Sequence, residues 1–171
     1  MSLTLLKNII PPPATPSEVG TLSQWRDFEN SLGIQLPADY RDFIFTYGSG
    51  LFAGFYLVYN PFSTSQYISL LPSITRVCSI NRESKKEFPD RFPYSYYPET
   101  NGLLPWGNDE NGNDYFWLTK GKPDEWQVVQ DENRGKGIQT HPFTFTQFLV
   151  SILKKETPPL ASGYNRRRLR V

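Results

Sequence analysis

Leu103-Leu104-Pro105-Trp106-Gly107-Asn108-Asp109-Glu110-Asn111-Gly112-Asn113-Asp114-Tyr115-Phe116-Trp117-Leu118 reads as two short apolar runs around a polar turn. Asn111-Gly112 supplies residues that tolerate the positive φ of a two-residue type I′ hairpin. On that turn, 110 faces 113, 109 faces 114 and 106 faces 117. Side chains alternate along a strand, so Trp106, Tyr115 and Trp117 share one face, and Phe116 and Leu118 the other. Large apolar groups on both faces make this ribbon a central, buried part of a sheet. The same pairing sets Asp109 against Asp114, and like charges so placed destabilise a sheet. Either the loop is wider than two residues, or a cation or basic partner sits there.

Working outward, Lys120 to Asp124 reads as a turn and Trp126 to Gln130 as the next strand. A polar loop to Gly137 and an edge strand over Ile138 to Thr140 follow. Thr144 and Gln147 have capping-box spacing. Phe145, Phe148, Leu149, Ile152 and Leu153 form a helical stripe, ended by Pro158-Pro159. Upstream, Pro89, Pro93 and Pro98 punctuate an irregular loop carrying Tyr94, Tyr96 and Tyr97. Ser63 to Glu87 is expected mostly helical, with Pro72 breaking or kinking it. Leu51 to Tyr59, aromatic and β-branched, is expected to be one strand. Leu36-Pro37 opens a helix that runs to Gly48-Ser49-Gly50. Thr21 and Gln24 are a second capping box, opening a helix that Gly33 stops.

The boundaries expected are a proline-rich lead-in over 1–16, one domain over 17–157 and a basic tail over 158–171. Pro11-Pro12-Pro13 favours polyproline II, so the lead-in is expected to be semi-rigid. Leu3 to Ile10 is apolar but has no basic leader or small-residue cleavage site, so it does not read as a signal peptide. The order of helices and strands predicts an α+β domain, its helices packed on a mainly antiparallel or mixed sheet.

A chain of 171 residues can bury a full core, roughly 70% of its unfolded surface. A net charge of +1 argues against a general nucleic-acid or membrane-surface role. The lone Cys78 excludes an internal disulfide and a cysteine zinc cluster. No apolar run has the length of a membrane span. A cytoplasmic location is expected. At 15% aromatics, the chain has either a ring-rich core or a ring-rich contact surface.

The chemistry-bearing motifs are sparse. Counted from Asp109, Gly112 falls at position 4 and Lys120 at position 12, which fails the calcium-loop pattern. His141 is the single histidine, ahead of Pro142 and the last helix, and reads as structural. Cys78 lies on an apolar helical stripe and reads as a buried thiol. Asp109, Glu110, Asp114, Asp124, Glu125, Asp131 and Glu132 offer many carboxylate pairs, none marked by spacing. P-loop and dinucleotide fingerprints are missing. Arg166, Arg167, Arg168 and Arg170 read as a solvated terminus. No catalytic residue, metal site or cofactor is expected.

Several pieces then align with a known family. They are Leu36-Pro37-Ala38-Asp39-Tyr40 through Tyr47-Gly48-Ser49-Gly50, and Val58-Tyr59-Asn60-Pro61. Leu104-Pro105-Trp106-Gly107 with Gly112-Asn113-Asp114-Tyr115-Phe116-Trp117, and Phe145-Thr146-Gln147-Phe148-Leu149, complete them. In this order, over Thr21 to Leu153, the chain resembles the SUKH superfamily, which includes fungal cell-wall-synthesis regulators and bacterial immunity proteins. Glu29 sits where that family tends to carry an acid. The resemblance implies an α+β fold without catalysis and a cognate protein toxin, such as a nuclease, as partner. Asp109, Glu110 and Asp114 are then the acidic candidates for gripping it, and Tyr94, Tyr96 and Tyr97 the aromatic anchors. The alternatives are a regulatory or scaffold protein of the cell-wall type, and an aromatic-lined hydrolase or carbohydrate-binding domain. No direct contact with nucleic acid or membrane is implied.

Overall fold

A computed structural model describes residues 2–154. The arginine-rich tail lies outside the described residues. Six strands form one antiparallel sheet in sequence order: β1 (Leu51–Phe52), β2 (Tyr56–Val58), β3 (Leu103–Asp109), β4 (Asp114–Leu118), β5 (Gln127–Glu132) and β6 (Gly137–His141). Among the described residues, five α-helices accompany it: α1 (Ser2–Ile9), α2 (Leu22–Leu32), α3 (Ala38–Tyr47), α4 (Leu70–Glu87) and α5 (Phe145–Leu153), with one 3-10 turn at Pro123–Glu125. This is the expected α+β arrangement, with a sheet antiparallel throughout.

The capping boxes set two helix starts. Gln24 N–H donates to Thr21 Oγ1 at 3.2 Å and Thr21 N–H to Gln24 Oε1 at 2.8 Å. The Thr144–Gln147 box opens α5 in the same way, satisfying amides that a helix start leaves orphaned. Pro72 falls in the first turn of α4 and does not break it, since N–H groups there have no intrahelical acceptor to lose.

The expected lead-in is different. Leu3, Leu6 and Ile10 recur at helical spacing, and Ser2–Ile9 is a helix packed on α5 and α3. Leu6 is fully buried, and Tyr47 donates its hydroxyl to the Ile10 carbonyl at 2.8 Å. The expected strand over Leu51 to Tyr59 is a hairpin. Ala53 and Gly54 both take positive φ, 54° and 64°, and fold β1 back on β2. Residues 63–69 are not helical, because Asn60 pins them: its N–H bonds the Ile68 carbonyl, and its own carbonyl takes Leu70 N–H.

The central hairpin departs from the two-residue turn in one informative way. Asp109 N–H donates to the Asn113 carbonyl at 3.1 Å, closing a three-residue loop with Gly112 at φ 80°. Such a loop places glycine in the left-handed region. A bulge between Pro105 and Gly107 compensates on β3. Trp117 therefore faces Leu104, Tyr115 faces Gly107, and Asp114 faces Asn108 rather than Asp109. The wider loop, one of the two escapes left open by the sequence, removes that carboxylate clash. Gly107 is needed at the bulge, since a Cβ there would sit 2.5 Å from the Leu57 carbonyl oxygen.

One face of the sheet meets α3 and α5, and α1 packs on those two helices. Trp106 stacks on Tyr115 at 5.1 Å and meets Phe145 edge-on at 4.9 Å, while Tyr40 meets Trp117 at 4.9 Å. Burying such rings drives the fold, each removing on the order of 150–250 Å² from water. The other face is covered by α4 and the segment after it. Cys78, on α4, lies against the Leu103 carbonyl, and Tyr96 packs on Phe116.

Candidate partner-binding site

Strand alternation divides the predicted acids. Asp109 lies on the face of Trp106 and Tyr115. Asp114 lies with Phe116 on the α4 face. Asp109 is buried, and its carboxylate accepts four hydrogen bonds: Asn111 N–H at 2.9 Å, Asn113 N–H at 3.0 Å, Asn113 Nδ2 at 2.9 Å and Tyr115 hydroxyl at 2.7 Å. The expectation that Asp109 faces a partner is therefore corrected: it is the internal staple of the loop. Glu110 is exposed beside it.

Asp114 opposes Asp131 on β5. Asp131 is buried and Asp114 half-buried. Burial pushes the Asp114 carboxyl up to about 6, with Asp131 adding to the rise and the Asn133 hydrogen bond opposing it. Burial also raises Asp131, against the pull of Arg91. Arg91 reaches Asp131 Oδ1 at 3.5 Å, and Asn133 Nδ2 reaches Asp114 Oδ2 at 3.3 Å. Asp131, Arg91 and Asn133 were missed as members of this cluster. The usable signal was register: pairing the strand after the Lys120 turn back on β4 sets Asp131 opposite Asp114.

The three tyrosines do not form an apolar patch. Tyr96 is buried against Phe116, which corrects its role as a surface anchor. Tyr94 is half-buried and its hydroxyl meets Thr140 Oγ1 at 2.7 Å. Tyr97 is half-buried and donates to the Leu32 carbonyl. Cations at the end of α4 hold this segment: Lys85 bonds the Tyr94 carbonyl at 2.7 Å, and Arg82 bonds the Tyr96 and Tyr97 carbonyls. Glu110, Asp114, Tyr94 and Tyr97 remain reachable from solvent.

The groups suited to chemistry are engaged elsewhere. Burial pushes the Cys78 thiol up to about 11, so it is protonated at neutral pH. His141 Nε2 meets Gln130 Oε1 at 3.2 Å, the ring packs on Phe148, and burial lowers its basicity. Among the described residues, no three His, Cys, Asp or Glu side chains are placed to hold a metal ion. Nor is any helix there long and apolar enough to cross a membrane. A cleft of about 280 Å³ between α2 and α3 has Trp25 and Phe45 on its walls. Of the two acids lining it, Glu29 and Asp42, Glu29 is already committed to Leu36 N–H at 2.8 Å and to Arg41 at 3.5 Å.

No curated protein matches the chain. The family described as SMI1-KNR4 cell-wall, SUKH_6, matches residues 22–149, from the first residue of α2 into α5. This chain belongs to the SUKH family.

Proposed function

We propose that this chain is a non-enzymatic binding protein, an immunity protein that grips and neutralises a cognate protein toxin in the cytoplasm. The observation that carries this reading is where the reactive side chains go. Cys78, His141, Glu29 and Asp109 are each buried and committed to neighbours, and all four tryptophans lie in the core. Glu110 is exposed at the tip of the central hairpin and Asp114 half-buried beside it. Tyr94 and Tyr97 are half-buried on the segment after α4, and the cations Arg76 and Arg91 lie near Asp114 and Asp131. Acidic surface speeds capture of a basic partner such as a nuclease by electrostatic steering.

The filled ring-on-ring packing of Trp106, Tyr115, Trp117 and Phe145 leaves those aromatics no sugar-binding cleft, which weighs against the hydrolase or carbohydrate-binding alternative. The cell-wall description of the matched family keeps a regulatory or scaffold role as the second reading. Co-expression separates the two. The immunity reading predicts a neighbouring gene for a toxin, and cells producing that toxin's toxic domain should survive when the chain is co-expressed. Continued killing, with the chain present and folded, would remove the immunity reading.

A further inference from the structure

On the α4 face, Asp114 and Asp131 stand opposite each other across the β4–β5 ladder. Phe116 is the next residue on that face after Asp114, and Tyr96 lies over it with ring centroids 6.0 Å apart. Tyr96 is 1% exposed, yet its hydroxyl has no hydrogen-bond partner. Burial first, then the charges of Asp131, Cys78 and Asp114, pushes that hydroxyl up, so both carboxylates lie within electrostatic reach of the phenol. A buried polar group left unpaired costs on the order of 1–3 kcal/mol.

The nearest cation is a poor occupant. Arg91 approaches Asp131 at 3.5 Å and the Asn133 carbonyl at 3.4 Å, long against the roughly 2.7–2.9 Å of a good charge-assisted bond. Its side chain is 39% exposed and leans over the Phe92 ring at 5.4 Å. Arg76, on α4, is exposed and acts on Asp114 through space.

We infer that Asp114, Asp131 and Tyr96 form a socket for the guanidinium of a partner arginine, and that Arg91 is the chain's own displaceable plug. The ligand class follows from the acceptors. Two side-by-side carboxylates and a phenol oxygen suit a planar fork with five N–H donors. Two carboxylates alone are too few ligands for a calcium ion, which takes six to eight oxygens. The partner rests on the toxin-binding reading; the socket itself can be tested without it.

The probe is N-acetylarginine amide, titrated into the full chain and followed by NMR. Saturable shifts are expected at Asp114, Asp131 and Tyr96. Asp114→Asn should weaken the probe by about tenfold, equivalent to about 1.4 kcal/mol. Arg91→Ala, which frees the socket, should tighten it severalfold, as removing a competing state does. A merely structural ion pair predicts no such gain. The inference is overturned if the shifts scatter over surface acids regardless of Asp114→Asn, or if Arg91→Ala leaves the affinity unchanged or lower. If the probe fails while a toxin still binds, the socket falls and the immunity reading stands. If the probe binds while no toxin is neutralised, the immunity reading falls alone.

Discussion

Asp114 and Asp131 occupy directly opposed positions of the β4–β5 ladder, so two carboxylates share one side of the sheet. Burial and this proximity raise the Asp114 carboxyl from 3.8 to about 6. Folding therefore takes up a proton between those values. The resulting stability is fully present below 3.8 and lost as pH rises through about 6. His141, lowered by burial, works the other way from its ordinary 6.5 downward. Glu18 is held down to about 2 by hydrogen bonds from Ser49 and Thr64, so its contribution fades only in stronger acid. Comparison with Asp114→Asn cancels both. The variant should melt several degrees above the wild type at pH 7, and the gap should shrink steadily as pH falls, closing only near 3.8. Parallel melting curves across that range would contradict the carboxylate pair.

Asp109 and Glu110 are adjacent acids with opposite fates. Asp109→Ala strands the Asn113 and Tyr115 donors, and should cost about 2–4 kcal/mol in urea unfolding. Glu110→Ala removes only a solvated side chain and should stay within about 0.5 kcal/mol. Equal effects at the two positions would refute the staple.

That contrast also shows how much was legible in the sequence. The apolar stripes, the capping boxes at Thr21 and Thr144, and the polar turn at Asn111-Gly112 are local signals, and they led to the α+β fold and to the family. The face on which each acid falls depends on a one-residue count in the loop and a bulge at Trp106. Neither has a local signature, and a slip of one residue exchanges faces. Leu6 looked like part of a lead-in because its partners on α3 and α5 lie far along the chain. Ala53 hid a turn because alanine seldom adopts positive φ. The three tyrosines read as a patch because nothing local announces that Arg82 and Lys85 hold their carbonyls.

Those two cations allow a regional test. Arg82 binds the carbonyls of Tyr96 and Tyr97 and lies 3.5 Å from Glu99. Arg82→Ala should release the segment 94–101, with amide exchange rising there by at least about tenfold while β4 and β5 keep their protection. Uniform loss across the sheet would show that the segment is not a separable unit.

Asp39, in the first turn of α3, fastens the start of α5. Its Oδ2 accepts Thr146 N–H at 2.9 Å, Thr146 Oγ1 at 2.9 Å and Thr144 Oγ1 at 3.0 Å. Asp39→Ala removes a cap and a tertiary tie together, and should cost about 2–3 kcal/mol by chemical denaturation. A loss below about 0.5 kcal/mol would mean that packing of Phe145 and Phe148 alone seats the helix.

The central claim is that this chain acts by binding another protein. Immunity by binding predicts a toxic domain encoded beside this gene. Calorimetric titration of the purified chain into that domain, with the toxin's activity measured at each point, tests the claim directly. A saturable complex whose formation abolishes the toxin's activity is the result predicted. A toxin that stays fully active in an excess of folded chain, with no heat of binding, would contradict it.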